Sequence, residues 1–334
     1  MKRVIALFIA GNALAQTWVP ESSGSTASLR GVSAVSEKVA WASGTGGTYL
    51  KTTDGGTTWT AAKVPGAEDL DFRDLHAVDG RTVYLMSIGP GDKSRIYKTT
   101  DGGASWKLQL TNPDAKGFFD AVAFWDVNHG IMVGDPVEGH LVVMTTGDGG
   151  EHWQRRATPD ALPGEGAFAA SGTCLIVMGT REAWVGTGGV GAARVFHSTD
   201  GGKSWTVATT PIRNDSASAG IFSLAFSDPR HGIAVGGDYS KAADATKNIA
   251  VTVDGGRTWS TPAGQPGGFR SAVAYLPESK LWVCTGTSGS DYSTDGGQTW
   301  NTFDSGNYNA ISFASSKAGW AVGPRGRIAG FQPK

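Results

Sequence analysis

An octapeptide that occurs six times constrains this chain more than any other feature. The first copy is Thr52-Thr53-Asp54-Gly55-Gly56-Thr57-Thr58-Trp59, and the others end at Trp106, Trp153, Trp205, Trp259 and Trp300. Successive aspartates stand 47, 47, 52, 54 and 41 residues apart. At such a period each repeat is one supersecondary unit that buries its apolar face only against its neighbours. The pattern Ser/Thr-x-Asp-Gly-Gly-x-x-Trp suits a turn between antiparallel strands. The carboxylate accepts from backbone N–H groups and the Ser/Thr hydroxyl, the glycines take positive φ, and the indole packs on a sheet.

A second signal lies upstream of each copy. Small and apolar strands end near Ala34, Ala77, Phe124, Val177, Phe226, Tyr275 and Phe313. Seven residues later a large apolar residue opens another strand: Trp41, Tyr84, Ile131, Trp184, Ile233, Trp282 and Trp320. This signal counts seven repeats, one more than the octapeptide. Each repeat reads as four short strands, the pattern of a propeller blade. The last repeat lacks its outer strand, and Gln16-Thr17-Trp18-Val19-Pro20 resembles the outer strand that begins at Trp59. The expected fold is all-β, a seven-bladed β-propeller of four-stranded antiparallel blades, with the N-terminal strand closing the last blade and leaving no open sheet edge. The 49 glycines and 12 tryptophans, with 18% charged residues, suit short strands and tight turns.

The chain opens on Met1-Lys2-Arg3, an apolar run from Val4 to Ala10, and Ala13-Leu14-Ala15. That is a signal-peptide pattern, so residues 1–15 are expected to be cleaved after Ala15. Residues 16–334 then form a single exported domain, periplasmic or extracellular. No Cys follows the cleavage site, so no lipid anchor is expected there. Cys174 and Cys284 fall in non-adjacent repeats and are expected as buried free thiols. A net charge of −1 gives no field toward nucleic acid, and a monomer is expected.

At the octapeptides and strands just described, the chain resembles the Asp-box, or bacterial neuraminidase repeat, β-propellers. It is most similar to the photosystem II stability/assembly factor family. Lys51 to Trp59 and Lys98 to Trp106 match that family's Lys-Thr-Thr-Asp-Gly-Gly-x-x-Trp, and His129-Gly130 and His231-Gly232 match its His-Gly turn. The resemblance implies a non-enzymatic assembly or stability role at a membrane surface, with a protein client that could be a membrane-protein complex.

The corner aspartates Asp54, Asp101, Asp148, Asp200, Asp254 and Asp295 are expected to be structural, spread around the rim. They lack the remaining ligand positions of a calcium loop, and no glycine-rich fingerprint stands between a strand and a helix, so no metal or cofactor is expected. The residues expected on the loop-rich binding face are Arg30, Arg73, Arg213, Arg270, Asp135 and Asp238. The competing expectation is a glycoside hydrolase, sialidase-like or xyloglucanase-like, or a carbohydrate-binding propeller. A sialidase would need three arginines and an acid–tyrosine pair in one pocket, and two-carboxylate hydrolysis would need two acids facing across a cleft.

Overall fold

The computed structural model describes residues 16–333; the expected signal peptide lies outside the described residues. Short apolar runs form strands, with second strands such as Ala40–Gly44 and Leu281–Gly286 buried throughout, and the repeated turns fold consecutive strands into antiparallel sheets. In the first blade the strands Leu29–Ala34, Ala40–Gly44, Thr48–Thr52 and Thr60–Lys63 pair in chain order. The first strands of the later blades are Asp71–Ala77, Phe119–Phe124, Leu175–Met178, Ala219–Phe226, Ala272–Leu276 and Ala310–Ser315. Seven sheets result among the described residues, and the first strands of successive blades pack on one another around the axis.

The ring closes as the strand count requires. Thr17–Glu21 pairs antiparallel with Ile328–Gln332, from Thr17 opposite Gln332 to Glu21 opposite Ile328. Trp18 is buried against Phe303, Tyr308, Phe313 and Phe331, and its indole donates to Ser290 Oγ of the preceding blade at 3.0 Å. Glu21 accepts from the Trp59 indole at 2.7 Å, which ties the N-terminal strand to the first blade as well.

One blade departs from the expected four strands. The fifth sheet has three, and its outer segment keeps only a single bridge, Val251 to Ser260. Pro262 follows two residues later, and a residue without an N–H cannot extend a ladder.

Each octapeptide turn is pinned in the same way. In the first, Thr52 Oγ1 donates to Asp54 Oδ1 at 2.9 Å and accepts the Gly56 N–H at 3.0 Å. Asp54 Oδ1 accepts the Thr58 N–H at 2.9 Å, and Oδ2 accepts the Thr58 hydroxyl at 2.7 Å. In the third copy His152 replaces that hydroxyl, its Nδ1 standing 2.6 Å from Asp148 Oδ2. Cores form between blades, as where Trp41 and Tyr49 pack on Phe72, Leu75 and Val83. Cys174 and Cys284 are buried and free.

Candidate functional site

The geometry that builds the site is a β-bulge at the top of the first strands. In four of them the register skips one residue: Arg30 between Leu29 and Gly31, Arg73 between Phe72 and Asp74, Asp120 between Phe119 and Ala121, and Phe222 between Ile221 and Ser223. A bulge leaves its extra residue unpaired and re-aims the side chain. Here it turns Arg30, Arg73, Asp120 and Phe222 into a cavity of about 620 Å³ at the mouth of the channel, to which every blade contributes. The residue just before each bulge is apolar and fully buried: Leu29, Phe72, Phe119 and Ile221.

The cavity has three walls. Arg30 and Arg73 form the basic one. Arg73 Nε donates to Asp71 at 2.9 Å and its NH1 reaches the Ala169 carbonyl at 3.3 Å. Arg30 Nε has no partner among the described residues, and burial, with Arg73 nearby, pulls the Arg30 guanidinium below its ordinary range. The acidic wall is Asp120 and Asp135. Burial and the Asp135 charge push Asp120 well up, and burial raises Asp135 to about 6. On the third wall Phe168 stacks on Phe222 with centroids 3.9 Å apart, and Phe269 and Tyr239 meet Phe222 edge-on at 4.7 and 6.1 Å. Asn307 and Asn309 complete the ring from the last blade.

Of the six residues expected on the binding face, Arg30, Arg73 and Asp135 meet in this cavity and the other three do not. Arg270 requires a correction. It sits where the other blades carry Leu29, Phe72, Phe119 and Ile221, one residue before the bulge position, which in its blade is Ser271. It is therefore fully buried, donating through Nε to Asp291 at 2.6 Å and through NH1 to the Phe269 carbonyl at 2.8 Å and Ser288 at 2.9 Å. Arg213 does not line the cavity but is paired with Asp215 and Asp244 in a separate pocket. Asp238 is buried as the cap of a short 3-10 turn, Tyr239–Lys241, accepting from Ser218, Ser240 and Ser216. Asp120, Phe168 and Phe222 are cavity residues that the sequence reading missed. Asp120 and Phe222 follow the buried apolar residue of their first strands, a place that only the pairing with the second strand defines.

None of the six corner aspartates lines the cavity. Their hydrogen bonds hold them below the usual carboxylate range, with Thr58 the chief cause at Asp54 and Ser105 at Asp101. The arginine cluster of a sialidase is assembled only in part, because Arg270 is committed to Asp291. Asp135 and Asp238 do not face one cleft.

Fold and turns define a seven-bladed Asp-box β-propeller whose one mixed basic, acidic and aromatic mouth sits on the channel axis. Within that class the chain is similar to the photosystem II assembly factors. Residues 110–214 match the family described as photosynthesis system II assembly factor YCF48, and residues 291–302 match the BNR/Asp-box repeat. A photosystem II assembly lipoprotein, Ycf48, from Synechococcus sp. (strain CC9902) is 28% identical over 195 residues, 58% of this chain and 51% of that protein. The chain thus spans about half the length of that curated relative. Among solved structures, YCF48 bound to a D1 peptide superposes with a TM-score of 0.68 at 19% identity, covering 95% of this chain and 97% of that one. YCF48 from Cyanidioschyzon merolae gives 0.62 at 18% identity, covering 95% and 99%.

Proposed function

We propose that this protein is an exported, non-enzymatic docking propeller that binds an extended segment of a protein client, a subunit of a membrane complex, in the mouth of its channel. The observation that carries the reading is the cavity itself. An arginine whose Nε has no partner among the described residues, a carboxyl pair, amides and an aromatic wall converge there from all the blades. A polypeptide offers carbonyl acceptors, N–H donors and apolar side chains together, and so can satisfy each wall. A buried donor left unmade costs about 1–3 kcal/mol, which a bound segment recovers. The YCF48 structure with a D1 peptide supports peptide binding by a propeller of this shape. The lipoprotein relative supports export, as does the N-terminal pattern.

Co-purification from detergent-solubilised membranes of the source cells tests this. Wild-type protein is expected to retain a membrane subunit, and Arg30→Ala with Arg73→Ala to lose it while melting as before. Equal retention by the double variant would refute docking in the mouth.

A further inference from the structure

We propose that Asp135, backed by Asp120, is the subsite for a cationic side chain of the docked segment, a lysine-type ammonium on an apolar stem. This rests on the docking reading and extends it to what the client must present.

The two carboxyls reach the cavity from neighbouring strands of the third blade, Asp120 at the bulge and Asp135 near the end of the paired strand Gly130–Val137. Asp120 is 1% exposed, and its Oδ2 has no partner among the described residues. Asp135 is the outer of the two, and its Oδ1 accepts the Ala167 N–H at 3.1 Å. No cation is committed to either among the described residues. Arg73 is held by Asp71 and the Ala169 carbonyl, and Arg194 of the following blade is spent on Glu165. Arg30 faces the cavity from the first blade but pairs with neither carboxyl. The remaining titratable neighbours cannot neutralise the pair. Asp74 takes the Leu75 and Val122 N–H groups, and the Cys174 thiol is buried and pushed up.

Two buried like charges without a counter-ion favour holding a proton between them. A cation placed on Asp135 favours the ionised form of that carboxyl, while Asp120, raised chiefly by burial, keeps its proton, so a proton leaves on binding only where Asp135 still carries one. The stem has a place as well. Ala167, which donates to Asp135, precedes Phe168, whose ring is stacked on Phe222, and an ammonium beside such faces gains further. The sign of the pH dependence follows. A cation must bind more weakly as pH falls through the value of about 6 at Asp135. A neutral acceptor, held by the protonated pair, would bind more tightly there.

The test uses 2-phenylethylammonium as probe and 2-phenylethanol as its neutral counterpart, measured by titration calorimetry with the intact protein. From pH of about 8 to about 5 the ammonium is expected to weaken about tenfold. Its heat near pH of about 6 should vary with buffer ionisation enthalpy, reporting a proton released from Asp135. Asp135→Asn, checked by melting, should bind the ammonium no better than the alcohol. The wild-type pH profile and buffer dependence stand without that variant if it fails to fold. An ammonium that does not bind, binds no better than the alcohol at the higher pH, or shows no pH dependence overturns the subsite. If client retention still depends on Arg30 and Arg73, that failure leaves docking standing; if retention is lost as well, docking fails too.

Discussion

Arg270 and Asp74 show how one residue's place in the strand decides its chemistry. Arg270 occupies an apolar position and survives there because Asp291, Ser288 and a carbonyl take its donors. Removing one partner of a buried pair leaves the other uncompensated, at about 3–5 kcal/mol. Arg270→Met should therefore cost that much in denaturant unfolding, and adding Asp291→Leu should recover most of it. A single variant as stable as wild type would contradict the role given to the pair. Asp74 is buried with both oxygens on backbone N–H groups, and burial raises its carboxyl to about 7. Because its folded value lies above its unfolded one, its contribution is fully present below pH of about 4 and is lost as pH rises through about 7. Asp74→Asn should lower stability overall, since an amide nitrogen cannot accept, and should flatten the decline between those limits. The corner aspartates are depressed instead, so their contribution is lost as pH falls below the ordinary carboxylate range.

At the scale of the element, the octapeptide turn and the closing strand divide the work of making a ring. The second glycine of each turn has positive φ, and at Gly297, with φ of +84°, an added Cβ would stand 2.4 Å from Ile233 Cδ1. Gly297→Ala should destabilise by more than about 1 kcal/mol, visible as a lower denaturant midpoint. The closing strand carries Trp18, buried among four aromatic rings. Trp18→Ala should cost about 3–5 kcal/mol, and deleting residues 16–24 should cost more, because it also strips the ladder to Ile328–Gln332. An unchanged melting temperature after that deletion would defeat the closure. Both elements were legible in the sequence, because turn chemistry and strand count are local properties. The bulges were not. A bulge is a relation between two strands, so nothing local distinguishes Arg30 and Arg73, which it turns into the channel, from Arg270, one position away and buried. The same blindness hid Asp120 and Phe222, and it left the lost outer strand of the fifth blade to be found in the structure, although Pro262 gave the reason.

For the whole molecule, the rim and the mouth have separate duties. The rim repeats one hydrogen-bonded corner and carries stability, while the mouth breaks the repeat. There, in six of the blades, the position after the buried residue near the start of the first strand, apolar in five and Arg270 in the sixth, holds Arg, Arg, Asp, Phe, Ser and Asn. Symmetry supplies the cavity, and that variation supplies its chemistry. The claim that docking occurs at the mouth is tested most directly by site-specific photo-crosslinking in source cells. A photoreactive residue replaces either Tyr239, 55% exposed at the cavity edge, or Lys203, exposed within the fourth octapeptide turn. The account predicts a crosslink to a membrane subunit from position 239 that disappears with Arg30→Ala and Arg73→Ala, and none from position 203. A crosslink to the client from position 203 alone would contradict it.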